Sequence, residues 1–496
     1  MRQKNWLTKI SKVILRSLTV LLAVLVICLL LLTIPKVQTF VAHQATAFLS
    51  QKMGMELYIG KLHVDFDLNI VADDVRIYDQ KNNNLISAKH LRSDFPKFKS
   101  RYLELNNVYV DSADVTFRTY EGEDEMNLKY FIKFFKRNKP KAKQKMLINF
   151  NNLILKNSRF QLRNDNKAGQ DEEGVWNYSN MIISNINCKM HNMSILGDSL
   201  HLGIDQLNCE ERSGFALTDY KGNIEIFRNG LYCNHTHFTT RDGSDVDVDF
   251  GMDFERFKSF RNFNDSVFFN SILRSSYLNT KDLTYFVKSF KGMNDMVKVE
   301  ATVKGPLSDM KVRNVQLQLS KNTYFCGKVD MLGLPAIEET ILDIEVDKMR
   351  VSMPDLLTFQ LPKNKHIKLP KQLQSVEWAS VQGSFLGLYD NFYADATLQS
   401  NIGDVTAHMM FNNHKKPLMY DGEAKLNQFD LGKILANNTL GKVTGTAALK
   451  GKGVKINEIN TTFNAQIQNV EFNGVNISEI YANGILAEQA FNGSIT

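Results

Sequence analysis

Proline, cysteine and tryptophan are all scarce, at 9, 5 and 3 in 496 residues. Few prolines mean few fixed breaks, so long runs of one element type are open to the chain. The cysteines, Cys28, Cys188, Cys209, Cys233 and Cys326, form no CxxC pair and keep no regular spacing. That excludes a disulfide framework, and the expected state of the four beyond Cys28 is the free, buried thiol. Catalytic signatures are missing as well: there is no P-loop, no HExxH and no G-x-S-x-G. "SDMK", Ser308 to Lys311, fits S-x-x-K but lacks a K-T-G or S-x-N companion. "GTAALKGKG", Gly445 to Gly453, spaces its glycines as a strand and turn rather than a phosphate loop. The chain is expected to be no enzyme and to need no cofactor.

Excess charge is missing from most of the chain. The formal net charge is +7, but Arg2, Lys4, Lys9, Lys12 and Arg16, with no acid among them, supply most of it. A body this close to neutral excludes nucleic acid as a partner, because that affinity rests on phosphate neutralisation. Long apolar runs are scarce too, with one exception. Ser17 to Ile34 contains no charged residue; as a helix it would measure about 27 Å, close to the hydrocarbon core of a bilayer. The basic flank keeps the N-terminus cytoplasmic. A cleaved signal peptide would be shorter and followed at once by small residues; here Thr33-Ile34-Pro35-Lys36 follows. The expectation is an uncleaved anchor over 17–35 behind a basic tail over 1–16. An amphipathic helix over 36–54 comes next, with Val37, Phe40, Val41 and Phe48 on one side. The rest of the chain lies beyond the membrane.

What fills the remainder is alternation. "GSDVDVDFGMDFE", Gly243 to Glu255, sets Asp245, Asp247, Asp249 and Asp253 against Val246, Val248, Phe250, Met252 and Phe254. An EF-hand loop needs Gly at its sixth position and Glu at its twelfth; Phe250 and Arg256 stand there instead. The pattern is a strand with one wet and one dry face. Similar runs recur at Leu62-Val64-Phe66-Leu68-Ile70, Val297–Val303, Val315–Leu319, Phe392–Leu398, Val405–Phe411 and Ile459–Ile467. Turns rich in Asn, Asp and Gly separate them, which reads as consecutive antiparallel hairpins. Candidate lining residues for the dry face are Val246, Val248, Phe250, Met252 and Phe254, together with Val64, Phe66 and Leu68.

Helical signals are brief and alike: "NLKYF" from Asn127, "DLTYF" from Asp282, "DLLTF" from Asp355 and "DLGKI" from Asp430. In each, Asn or Asp is placed to cap a short helix. The last three start at intervals near 75 residues, which predicts a repeat of several strands plus one helix. The expected segments are a β unit with a short helix over 55–140 and a repetitive array over 141–496. The final "YANGILAEQAFNGSIT" stops inside an alternating run, as though the array continued.

Two clusters are weighed as sites. "FIKFFKRNKPKAKQK" is basic, and a solvated loop accounts for it; contact with anionic headgroups through Lys136, Arg137, Lys139 and Lys141 is the sharper alternative. In "CNHTH", Cys233, His235 and His237 fall on one face of a regular strand, where neighbours two apart can share a zinc ion. No carboxylate or second cysteine completes that set, so no metal is expected. "EGEDE" at Glu121 to Glu125 reads as a solvated turn.

The anchor, the amphipathic helix and the long series of strands together resemble the AsmA/TamB family of bacterial envelope proteins. The local likenesses are "MGMELYIGKLHVDF" followed by "NIVADDVRIYDQKNNNLISAKHLRSDF", and "FDLGKILANNTLGKVTGTAALKGKG", Phe429 to Gly453. The resemblance implies a mainly β fold, with an N-terminal transmembrane helix and a long, curved, U-shaped antiparallel sheet with an apolar inner trough. It implies an inner-membrane anchor with the bulk in the periplasm. It also implies phospholipid transport between the two membranes, with acyl chains as the partner. The alternative it carries is an anchored adaptor in outer-membrane protein assembly, bound to an outer-membrane β-barrel, with the sheet as spacer.

Overall fold

A computed structural model describes residues 33–136, 146–167, 171–369, 373–414, 416–435, 437–453, 458–487 and 489–496, together with Gly169 and isolated positions between 19 and 31. Eight of the nineteen residues of the expected anchor over 17–35 lie outside the described residues. Among those described, no helix is long and apolar enough to cross a membrane. The chain is mainly β, and it divides into two compact units, Met1–Lys221 and Gly222–Thr496.

The first unit opens with helix α1, Pro35–Met53, which ends at Gly54 in the left-handed conformation (φ +67°), where the Gly54 N–H closes on the Ser50 carbonyl at 2.9 Å. Strands β1 (Leu57–Val64), β2 (Ile70–Tyr78) and β3 (Asn84–Ser93) form an antiparallel meander. After β4 (Lys97–Lys99) come β5 (Tyr102–Asp111) and β6 (Asp114–Thr119), and both pair with β3. The next strand, β7 (Leu147–Asn164), runs parallel to β5 and β6, against the expectation of antiparallel hairpins throughout. A parallel neighbour needs a crossover connection. That crossover holds α2 (Leu128–Lys136) and the basic segment after it. Strands β8 (Asn180–Leu196) and β9 (Ser199–Glu211) continue antiparallel from β7, and β10 (Ala216–Phe227) pairs with β9. The sheet therefore runs on across the expected boundary at 140.

One part of the expected pattern fails here. Phe66 and Leu68 lie in the turn between β1 and β2, 107% and 68% exposed. The Asp65 carboxylate accepts the Asp67 N–H at 3.0 Å and the Asn69 N–H at 2.9 Å, so turn chemistry overrides alternation.

Among the described residues of the second unit, fifteen strands follow one another antiparallel, each paired with the next. They begin with β11 (Gly230–Thr240), β12 (Asp245–Asp253), β13 (Phe268–Asn279) and β14 (Met296–Pro306). Next are β15 (Asp309–Gln318), β16 (Tyr324–Leu332) and β17 (Ile341–Ser352). The two-residue strands β18 (Gln360–Leu361) and β19 (Lys365–His366) stand apart as their own ladder. The series resumes with β20 (Trp378–Leu388), β21 (Asn391–Ser400), β22 (Gly403–Asn412) and β23 (Met419–Asp430). It finishes with β24 (Leu440–Lys452), β25 (Asn460–Phe472), β26 (Val475–Ala487) and β27 (Ala490–Ile495). The helices are a single turn α3 (Phe263–Ser266), then α4 (Thr280–Phe286), α5 (Met353–Thr358) and α6 (Leu431–Leu435).

Helices α4, α5 and α6 follow β13, β17 and β23, one after every fourth strand of the series. This is the predicted repeat. The acidic residues act differently from expectation, however. Asp430 does cap its helix, accepting the Lys433 N–H at 3.0 Å. Asp282 and Asp355 sit inside α4 and α5, and the cap of α4 is Asn279. Asp282 reaches back to the β11–β12 turn, where the Thr240 hydroxyl donates to it at 2.6 Å and the Ser244 hydroxyl does so as well. Asp355 does the same to the β15–β16 turn, accepting from the Thr323 hydroxyl at 2.7 Å and from Ser320. Each helix is thus latched to the hairpin turn two strands earlier. Asn127 plays a related part in the first unit: fully buried, it donates to Asp79 of the β2–β3 turn at 3.0 Å.

The two carboxylates feel opposite surroundings. The Ser320 and Thr323 hydroxyls hold Asp355 below the usual carboxylate range. Burial pushes Asp282 up, and its hydroxyl donors only partly offset this. A depressed carboxyl stabilises the fold above its unfolded pKa and loses that contribution as pH falls through the folded value; a raised one destabilises at neutral pH and is relieved as pH falls. As pH falls from about 7 to about 4, the ordinary carboxylate range, amide protection factors should therefore rise in Thr280–Phe286, and as it falls further below about 4 they should fall in Met353–Thr358. Hydrogen exchange corrected for intrinsic rates measures both, and shifts of the same sign in the two helices would refute the assignment.

Candidate functional site

Directly paired residues on antiparallel strands share a face. Following the pairs from β11 to β27 therefore traces one surface. Phe250 of β12 faces Cys233 and Ser271, and Val248 faces Leu273. From there the pairs run Leu273–Ala301, Val303–Val312–Val329–Ile344–Phe385, and onward. No charged side chain stands at these positions, and Val246, Val248, Phe250 and Met252 all lie on the surface as the sequence predicts. Val246 is buried and the next three are half-buried.

The middle of this face in β21–β26 is a ladder of alanines: Ala396–Ala407–Ala424–Ala447–Ala465–Ala482, each directly opposite the next. Larger side chains flank it on both sides. One flank holds Leu398–Val405–Leu426 and Ile467–Ile480. The other holds Phe385, Phe392 and Phe411, whose rings stand 4.5 Å and 5.3 Å apart in sequence, and Phe463 with Phe491 at 5.6 Å. Ala396, Ala407, Ala424 and Ala447 are half-buried, as are Phe392, Phe463 and Ile467. Two stacked sheets would bury both inner faces; this degree of exposure does not match such packing. Close strand approach shapes the floor. A Cβ on Gly383 (φ +150°) would stand 2.1 Å from the Asp395 carbonyl oxygen and 2.6 Å from the Ala396 Cα, so glycine is required where β20 meets β21.

The opposite face is polar and ion-paired. Arg313 grips Asp330 through both carboxylate oxygens, His408 lies 3.0 Å from Asp395, and Lys450 lies 2.7 Å from Asp421. The aspartates of β12 belong here. Asp249 pairs with Arg274, and His237 stands 3.2 Å from Asp247. Burial would raise the Asp249 pKa, yet the His235 N–H and Arg274 hold it below the usual carboxylate range.

Cys233, His235 and His237 are not brought together. The register shifts between Cys233 and Thr236, and His235 takes a left-handed φ of +52°. This bulge reverses the alternation, so Cys233 shares the apolar face with Phe250 while His237 shares the polar face with Asp247. Among the described residues no group of three or more His, Cys, Asp or Glu is placed to hold a metal ion. None of the described cysteines forms a disulfide: Cys188 is buried and Cys209, Cys233 and Cys326 are half-buried. Burial pushes the Cys188 thiol up to about 12 and the Cys209 thiol up to about 11, which leaves both unreactive near neutral pH.

Val64 ends β1 and lies in the first unit. Lys136 ends α2, and Arg137, Lys139 and Lys141 lie outside the described residues. Phe254 is buried beyond the end of β12, in a cluster that single-strand alternation did not reveal. Phe257 and Phe260 stand 5.2 Å and 5.0 Å from it, Phe263 stands 5.8 Å from Phe260, and Phe269 joins Phe263 to Phe250. The segment Phe257–Asn262 is a 3₁₀ helix, whose three residues per turn align phenylalanines spaced by three. That spacing, at 254, 257, 260 and 263, was the signal in the sequence. The aromatic segment closes one end of the apolar face at β12 and β13.

Comparison with family models, with curated proteins and with solved structures finds no match to this chain.

The glycine floor has a measurable consequence. Gly383→Val should cost about 1–3 kcal/mol, the scale of local backbone strain, and should open Trp378–Ser400 to limited proteolysis. Gln399→Ala on the polar face should leave both the denaturation midpoint and the proteolysis pattern unchanged.

Proposed function

We propose that this chain is a membrane-anchored conduit that carries phospholipid acyl chains along its apolar sheet face between the inner and outer membranes of a bacterial envelope. One observation carries the reading: an uncharged face continuous through fifteen strands, on which many side chains, Ala396, Ala407, Ala424 and Ala447 of the ladder among them, are only half-buried. A protein in water keeps so much apolar area open only if something occupies it. Acyl chains suit it, since each methylene removed from water contributes about 0.8 kcal/mol wherever it lies. The alanine ladder with taller flanks supports a curved, U-shaped trough whose floor admits a chain and whose rim leaves headgroups wet. Such transfer needs no nucleophile, acid or metal. The apolar run before Pro35 supplies the anchor, with the N-terminus cytoplasmic and the bulk periplasmic. This is the organisation that the AsmA/TamB resemblance implies.

The adaptor reading uses the same sheet as a spacer, and it would tolerate charge in the trough. Ala396→Asp combined with Ala447→Asp places two carboxylates in the ladder at half-exposed positions. Transfer of fluorescent phospholipid between vesicles by the full chain should fall at least about ten-fold, the cost of roughly 1.4 kcal/mol against the moving acyl chain. Far-UV circular dichroism should show the sheet intact. Full transfer by this variant would sink the conduit reading in favour of the adaptor. A photocrosslinker in place of Val248 or Phe250 should label phospholipid as well.

A further inference from the structure

Helix α1 is mounted with its large apolar side chains outward. Its short and polar side chains face β1 instead. Gln38 accepts the Val64 N–H at 2.8 Å, and Thr39 accepts the Leu62 N–H at 3.2 Å while donating to the Leu62 carbonyl at 3.0 Å. His43 Nε2 lies 2.8 Å from the Ile59 carbonyl, and Ser50 accepts the Leu57 N–H at 2.8 Å. Ala42 and Thr46 are the buried residues of this side. Strand β1 pairs on its other side with β2, so these side chains satisfy the backbone of an otherwise open sheet edge. On the outer side Phe40 is 62% exposed and Phe48 56%, with Val41 and Leu49 also exposed.

We propose that α1 lies on the surface of a lipid bilayer, with Phe40, Val41, Phe48 and Leu49 in the acyl region, and so fixes the β1 edge against the membrane. This rests on the anchored reading above and adds to it a second, separate lipid contact. Three observations favour lipid over a protein partner. The uncharged run Ser17 to Ile34 ends one residue before the helix begins, which holds α1 at the membrane surface. The helix contains Lys36 and Lys52 and no acidic residue, matching an anionic interface. The Lys52 ammonium sits 4.4 Å from the centre of the Phe48 ring, so this cation lies beside the apolar face as a snorkelling lysine does.

The test uses the full chain in vesicles of phosphatidylethanolamine and phosphatidylglycerol, with a benzophenone amino acid replacing Phe40 or Phe48 in one set. A second set replaces Thr46, which faces β1, or Gln399, exposed on the polar face of β21. Co-flotation of the chain with the vesicles reports the anchor, and the crosslink reports the helix. The expected result is a phospholipid adduct at Phe40 and Phe48 at least ten-fold above that at Thr46 and Gln399. A chain that floats but gives no lipid adduct at Phe40 or Phe48, or gives protein adducts there, overturns the inference and leaves the anchored reading standing. A chain that fails to float overturns both.

Discussion

Side chains alternate across a strand, so fifteen consecutive strands can share one apolar face only if every hydrogen-bonded pair keeps the same parity. A slip of one residue anywhere would turn all later strands inside out. The structure meets this constraint even though its strands are not regular. Register shifts fall at Cys233/Thr236, Leu273/Ser276, Val312/Val315, Val346/Met349, Leu426/Phe429, Leu440/Val443 and Thr444/Gly445. In each, the sequence itself changes parity at the bulge. Val312 and Met310 are even-numbered and Val315 and Leu317 odd, yet all four face the same side. At three of the bulges the extra residue is absorbed in a left-handed turn of the backbone, at His235, Asn314 and Gln428, where Asn and similar residues tolerate positive φ.

All but one of those bulges lie in strands that run toward the end where α4, α5 and α6 sit; the exception, at Leu440/Val443, lies in β24, whereas the extra residue at Thr444/Gly445 is on its partner β25. The helices and the turns they latch therefore form a rim, and its hydrogen bonds are made by side chains rather than by the ladder. Val376, Ala379 and Ile402 form a small buried cluster there, packed by Met353 of α5 and Ile434 of α6. Adhesion concentrates at this rim, while the broad apolar face away from it is left open. In this division of roles, stability comes from the strand ladder and the rim.

Much of this was legible in the sequence, and the failures have physical causes. Alternation located most strands, and the four helical motifs each became a helix. The same alternation misplaced Phe66 and Leu68, because Asp65 offers the backbone a competing turn. It grouped Cys233 with His237, because a bulge is invisible to a strict period of two. The roles of Asp282 and Asp355 were hidden because their partners stand dozens of residues earlier. Parallel pairing of β7 with β5 and β6 is equally non-local. Of the residues expected on one side of α1, Phe40, Val41 and Phe48 are exposed together, whereas Val37 is half-buried. The usual rule, that such a side turns inward, is reversed by the open edge of β1, which has only polar needs.

The latched repeat also has an arithmetic consequence. Four is even, so each repeat returns the chain to the same end of the sheet with the same face showing. Adding or deleting one whole repeat would change the width of the sheet by about 19 Å, at roughly 4.8 Å per strand, and disturb nothing else. An odd number of strands would send the next helix to the opposite end. The fold is in this sense a ruler graduated in fixed steps, and gene duplication can lengthen or shorten it without redesign.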